Sequence, residues 1–315
     1  MTGGPVKVVY VAGATRSGST LLHNLLAQVE GFEGIGELRD IWHYGLLDNR
    51  LCGCGTPFRS CPYWSSMIAT SLGSMAAIDA AVLHAQTERF RTRDLLLSPP
   101  AVRRRAIEEA APLLGALARV YTTIRDQTGC SVIVDSSKNP AYGYLLRRIP
   151  DLDVYFVHLV RDAPAVAHSL GKRKESEPGR NLPRKAAWRA CADWLSRNVT
   201  CELFLGHPAA RLVRVRYEDL VRDPAHVIRS IGSLAGEPVG DLGFIDDQSV
   251  DMSVRPHTVF GNPVRFRAGA VALRLDDAWR DQMSRSDAVL VRVVTAPLRL
   301  RYGYLGRSGG GHHPG

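Results

Sequence analysis

The chain has 315 residues, 45% of them hydrophobic and 23% charged, and a formal net charge of +9. That is enough apolar material for one large core and too much for a disordered chain. No apolar run approaches the ~20 residues that cross a bilayer, so a membrane-spanning protein is not expected. The positive balance points to an anionic partner, although 35 Arg against five Lys is a skew that codon bias alone can produce.

Residues 6–12 are apolar throughout, as in a buried parallel strand. The run enters a Gly loop rather than a cleavage site, so it reads as a first strand and not a signal peptide, and the expected location is the cytoplasm. Residues 13–18 form the loop. Ser19 or Thr20 is expected to cap a helix through about Gln28, with Leu21, Leu22, Leu25 and Leu26 facing inward. Residues 50–64 (CGCGTPFRSCPYW in the middle) are a Gly/Pro/Cys-rich excursion. Residues 75–128 read as two long helices broken near Ser98-Pro99-Pro100.

A strand at 131–134 ends on Asp135-Ser136-Ser137-Lys138, and a helix covers 141–148. The next apolar strand is 154–160. Pro164 opens a helix that runs to about Lys172. Residues 173–184 are polar and punctuated, as in a mobile loop. Trp188, Cys191, Leu195, Val199 and Leu203 keep helical spacing. A strand at 212–215, a helix at 224–234 and a flexible tail from Ser308 complete the chain. The two His of that tail read as tail, not as ligands.

Strands alternating with helices predict an α/β fold with a parallel sheet, where ligands bind at the carboxyl ends of the strands. The polar clusters at 16–20, at 135–138 and at Arg161-Asp162 each follow an apolar strand. They are therefore expected to converge on one composite anion site. Residues 1–307 are read as a single domain carrying a helical and Cys-rich insertion at about 40–128. Cys52, Cys54 and Cys61 are expected to form a disulfide or to pack as thiols, because a metal needs a fourth ligand, which would have to come from His43 or further away. No metal is expected. The Arg content shows no aromatic interleaving and no nucleic-acid-binding module, so nucleic acid is not the expected anion.

The loop GATRSGST (13–20) has the outline of a phosphate cradle: two Gly, hydroxyls at Ser17, Ser19 and Thr20, the charge of Arg16, and a following helix N-terminus. A triphosphate site would place Lys where this chain has Ser19. The loop therefore suits a smaller anionic group held without a metal. A P-loop kinase or NTPase, and a binding protein without turnover, are the alternatives.

The stretch LVRDAPAVAHSLGKRK (159–174) puts Arg161 at a strand end and Ser169 eight residues on. With the loop, it makes the sequence resemble the sulfotransferases that use PAPS (3′-phosphoadenosine 5′-phosphosulfate), in the branch containing carbohydrate and tyrosine-protein sulfotransferases. Further segments are similar: RYEDLVRDP (216–224) with Tyr217 near the nucleotide, HTVFGNPVRF (257–266), Trp279, and RYGY ending at Tyr304. The resemblance implies a P-loop-type three-layer fold and transfer of a sulfuryl group to a hydroxyl of a small molecule, glycoside or glycolipid. It places Arg16, Ser17, Gly18, Ser19 and Thr20 on the 5′-phosphosulfate, and Arg161, Ser169 and Arg173 on the 3′-phosphate. Asn262 and Arg265 are expected to close over the nucleotide. In GIGELRDIW (34–42), Glu37 is the expected base, with Asp40 and His43 in reserve. Lys138 and Arg16 are expected to stabilise the leaving oxygen, and Asp135 to orient the turn around Lys138.

Overall fold

The computed structural model describes residues 4–173, 175–177, 180–206, 211–246, 249–252, 256–261, 263–266 and 269–305. Five parallel strands form the sheet: β1 (Val6–Gly13), β2 (Phe32–Gly36), β3 (Val132–Lys138), β4 (Leu152–Val160) and, beyond a short ribbon of β5 (Glu175–Glu177) and β6 (Arg180–Asn181), β7 (Leu212–Arg216). Their order is β2-β3-β1-β4-β7, and every pairing is parallel. β1 alternates its side chains between two cores: Val6, Val8, Tyr10 and Ala12 on one face, Val9 and Val11 on the other. That two-sided burial is why the strand reads as an unbroken apolar run. The chain crosses from β1 to opposite sides at β3 and β4, so the carboxyl end of β1 is the switch point of the sheet.

The helices are α1 (Ser19–Leu26), α2 (Pro62–Leu72), α3 (Ala80–Glu88), α4 (Thr92–Leu97), α5 (Pro100–Glu109), α6 (Ala111–Thr128), α7 (Pro140–Leu146), α8 (Ala163–Gly171), α9 (Ala187–Thr200), α10 (Tyr217–Arg222), α11 (Pro224–Leu234), α12 (Trp279–Gln282), α13 (Arg285–Val294) and α14 (Ala296–Arg301). A second small ribbon pairs β8 (Ser249–Asp251) with β9 (Ala270–Ala272). One face of the sheet is covered by α1 and α11, through Leu22, Leu25, Leu26, Val227, Ile228 and Ile231. The other is covered by α6 and α7, with α2 packed behind α6. The result is the expected three-layer α/β fold with a helical insertion. No helix among the described residues is long and apolar enough to cross a membrane.

Several sequence expectations change. The two long helices of 75–128 are four, α3 to α6. The break at 98–100 is present, and a second one precedes α6, where Pro112 lacks the N–H that would continue α5. α6 is built into the core: Leu113, Leu117, Val120, Tyr121 and Ile124 are fully buried on the sheet. Residues 175–177 and 180–181 pair as an antiparallel ribbon, where a mobile loop was expected. On α9 the buried positions are Ala190, Cys191, Trp194, Asn198 and Thr200, whereas Trp188 is exposed, as is Leu203 beyond the helix. The helical period holds, with Cys191 buried and Leu195 packed against the same core, but the centre of the inward face is shifted toward Trp194. The expected tail, 308–315, lies outside the described residues.

Candidate active site

The loop after β1 turns through two left-handed residues, Arg16 (φ 70°) and Gly18 (φ 95°). The conformation of Gly18 is compulsory for a second reason, since a Cβ there would lie 2.4 Å from the ring of Tyr217. Gly18, rather than Ser19 or Thr20, occupies the N-cap position of α1, and no side chain caps the helix. The first-turn amides therefore point at the loop concavity, where the helix end favours negative charge. The hydroxyl of Ser17 is buried and finds no hydrogen-bond partner among the described residues. An anion in the loop would satisfy both.

At the end of β3 a buried network fixes a second group. Asp135 accepts hydrogen bonds from the Tyr121 hydroxyl (2.5 Å), the Ser137 hydroxyl (2.5 Å) and the Ser137 amide (2.8 Å). Burial still pushes its carboxyl up to about 6. Ser137 Oγ in turn accepts from the backbone N–H of Arg39 (3.1 Å). The turn carrying Glu37 is thereby tied to the turn carrying Lys138, whose own φ is 65°. The ammonium of Lys138 donates to the Glu37 carboxylate, and both side chains are nearly sequestered from water. Arg39 pairs instead with Asp40 (2.9 Å) and Glu88 (2.5 Å). Asp135 thus orients the turn, as expected, and takes no position in the cleft.

Arg161, at the end of β4, is 6% exposed. It donates to the carbonyl of Arg16 (3.2 Å) and to both the carbonyl (2.8 Å) and carboxylate (3.1 Å) of Asp276. Its guanidinium lies 4.4 Å from the centre of the Tyr217 ring. Asp162 is bound to Arg299 (2.7 Å), so Arg161-Asp162 is not a local ion pair. The loop, both strand ends and Tyr217 open on one cleft of about 410 Å³. Among the described residues, Arg16, Lys138, Arg161, Lys185 and Arg274 line it against one carboxylate, Asp276. That balance, with the open helix end, suits the cleft to an anion.

The family model described as "Sulfotransferase family" matches residues 9–241, about three quarters of the chain. The chain belongs to the sulfotransferase family. No curated protein matches it by sequence. Among solved structures, the sulfotransferase domain of the Synechococcus PCC 7002 olefin synthase is similar, at 21% identity and a TM-score of 0.51, over 96% of this chain and 97% of that one. The sulfotransferase domain of the curacin biosynthetic pathway is similar at 17% identity and a TM-score of 0.51, over 94% and 98%. These two likenesses bear on the fold.

In this sulfotransferase the cleft gathers Arg16, Gly18, Ser19, Thr20, Lys138, Arg161, Ser169 and Tyr217. Ser17 is buried within the loop, and Glu37 stands behind Lys138. Other expected residues lie elsewhere. Arg173 donates to Asn181 (3.2 Å) on the ribbon and does not line the cleft. Arg265 is buried, donating to the carbonyl of Gly261 (3.1 Å) and lying over the ring of Phe266. Its effect on the cleft therefore passes through Gly261. Asn262 lies outside the described residues. His43 stacks on His84 at 4.6 Å between ring centres, away from the lining. Asp40 sits between Glu37 and Arg39, and burial followed by the Glu37 charge pushes it up to about 6. Sequence reasoning missed Asp276, Arg274 and Lys185, which come from stretches without a motif. It also missed His23, buried behind the loop and pushed down to about 3 by burial and by Lys138.

Proposed function

We propose that this sulfotransferase moves the sulfuryl group of PAPS to the hydroxyl of an acceptor, a small molecule, glycoside or glycolipid. The observation that carries the reading is the sequestered Glu37–Lys138 pair at the edge of a cation-lined cleft. The unpartnered Ser17 hydroxyl and uncapped α1 suit the 5′ phosphate and sulfate. Arg161, its guanidinium over Tyr217 and its ligand Asp276 exchangeable for a phosphate, suits the 3′ phosphate together with Ser169. When bound, PAPS supplies an activated sulfuryl group on a bisphosphate leaving group.

The chain's residues then divide the labour. Glu37 takes the proton of the acceptor hydroxyl as its oxygen bonds to sulfur. Neutralising Glu37 removes the partner of Lys138, whose charge becomes available to the oxygen that leaves sulfur. Arg16, on the same side of the cleft, adds to that stabilisation. Tyr217 and Gly18 hold the loop and Arg161 at a fixed separation. Residues 1–307 act in this reading as one unit, working in the cytoplasm.

The test is turnover with PAPS and a panel of hydroxylated acceptors, following release of 3′,5′-adenosine bisphosphate. Acceptor-dependent release that is lost in Glu37→Gln supports the reading. Release of phosphate from ATP with Mg²⁺, and none from PAPS, would make the protein a nucleotide triphosphatase. Bisphosphate binding with no turnover of any acceptor, and no effect of Glu37→Gln, would make it a binding protein.

A further inference from the structure

Some distance along the chain from the loop, Cys52, Cys54 and Cys61 meet His257. All six cysteines are free, so of the two expected states, a disulfide or packed thiols, the disulfide is not formed. The fourth partner, His257, lies about 200 residues from the cysteines, not at His43. Cys61 Sγ lies 3.7 Å from the sulfur of Cys54 and 3.7 Å from that of Cys52. His257 Nδ1 lies 3.5 Å from Cys52 Sγ and 3.3 Å from Cys61 Sγ. All four ligand atoms fall within 4.8 Å of one another.

The four separations around Cys61 and His257, 3.3–3.7 Å, are close to the edges of a coordination tetrahedron. With metal–sulfur bonds of about 2.3 Å and a metal–nitrogen bond of about 2.1 Å, tetrahedral geometry puts sulfurs about 3.8 Å apart and sulfur about 3.6 Å from nitrogen. Packed thiols have no reason to present four donors to one point. A disulfide would bring two sulfurs to about 2.05 Å and turn the others away.

The surrounding chain fixes the donors in place. Cys52 N–H donates to the Thr56 carbonyl (2.8 Å) and Gly55 N–H to that of Cys52 (2.8 Å), closing a tight turn. Cys61 is the N-cap of α2, where the helix end favours a thiolate. The imidazole of His257 stacks on Tyr63, at 4.4 Å and 4° between planes, and its carbonyl accepts from Trp64 Nε1 (2.9 Å). Gly53 donates to the Thr258 carbonyl (2.7 Å) and sits so close to Pro256 that a Cβ would lie 2.2 Å from its carbonyl oxygen.

We propose that Cys52, Cys54, Cys61 and His257 bind one zinc ion as a structural site. Three thiolates and an imidazole in a closed tetrahedron favour zinc and leave no position for a substrate. The ion staples the 52–61 turn to the segment that continues through Thr258 to Gly261. Gly261 lies against Glu37, where a Cβ would meet the carboxylate at 2.8 Å. The staple therefore stands behind one wall of the cleft without touching the reacting atoms.

The test is the metal content of the full chain, expressed with zinc and purified with a phosphine reductant and no chelator. About one zinc per chain is expected, with none beyond traces in Cys54→Ser or in His257→Ala. Chelator should lower the melting temperature of the native chain and leave that of the Cys54→Ser variant unchanged. If both variants fail to fold, cobalt added to the metal-free native chain decides the matter: strong sulfur-to-cobalt charge transfer with a tetrahedral ligand-field spectrum is expected. A chain that holds no stoichiometric metal, or whose cobalt spectrum lacks thiolate charge transfer, overturns the proposal. So does zinc that is retained in both variants.

Discussion

Two corners of the molecule are built from polar residues at the ends of apolar elements, and they were not equally readable. The anion cleft is assembled from three strand ends, each carrying its own short motif: 13–20, 135–138 and 161–169. The Cys52–Cys54–Cys61–His257 corner is assembled from a turn and one residue about 200 positions away. In the first, the sheet brings the motifs together automatically, because parallel strands deliver all their carboxyl ends to one edge. In the second, no periodicity or spacing announces His257. Its partner thiols are local, but the closure is purely tertiary. Sequence motifs expose the part of a site that the topology gathers, and stay silent about ligands supplied across it.

The largest expected effect is on the reacting pair. Glu37→Gln should lower turnover by about 10²- to 10⁴-fold and leave bisphosphate affinity close to native, as removal of a positioned base does. Lys138→Ala should cost a similar factor and also leave Glu37 sequestered without its partner, so it should melt at a lower temperature as well. A pair that was merely structural would lose stability in both variants with turnover unchanged.

A smaller effect separates the grip from the chemistry. Arg161→Ala should weaken bisphosphate binding by about 10- to 100-fold, the value of charge-assisted hydrogen bonds worth roughly 1.5–3 kcal/mol. Gly18→Ala should weaken binding too, because its Cβ would drive into the ring of Tyr217 and deform the loop that Arg161 braces. Native affinity in Gly18→Ala would show that the loop does not hold the ligand.

The smallest effect is thermodynamic. Asp135→Asn should cost about 1–3 kcal/mol near neutrality, since an amide cannot accept all three hydrogen bonds now made to the carboxylate. Its pH dependence has a definite sign. Burial raises the carboxyl from 3.8 to about 6, so the folded protein holds that proton more tightly than the unfolded chain. The contribution is complete below about pH 3.8 and is lost as pH rises through about 6. Urea midpoints of the native chain, taken relative to Asp135→Asn at each pH, should therefore fall between pH 4 and 6. His23, pushed down to about 3, pulls the other way in both proteins and cancels in that difference.

Much of the architecture was legible because it rests on local rules. β1 and β4 were apolar on both faces, Pro164 sat in the first turn of α8, and the loop's Gly spacing marked the turn between β1 and α1. What was not legible follows from packing. α6 belongs to the core through Tyr121, whose hydroxyl binds Asp135 from an element that reads as an insertion. Asp276 reaches Arg161 across 115 positions, and no residue beside it signals that contact. Arg173 and Arg265 were placed at the nucleotide by the resemblance, and in the structure their side chains reach Asn181 and the Gly261 carbonyl.

In the proposed reading the cleft grips a bisphosphate nucleotide through its loop and Arg161. Calorimetric titration of 3′,5′-adenosine bisphosphate into the native chain and Arg161→Ala, without magnesium and with ATP alongside, tests it most directly. The account predicts metal-free binding of the bisphosphate that exceeds that of ATP and weakens by at least about tenfold in the variant. Stronger binding of ATP that appears only when Mg²⁺ is added, or a bisphosphate affinity indifferent to Arg161, would contradict it.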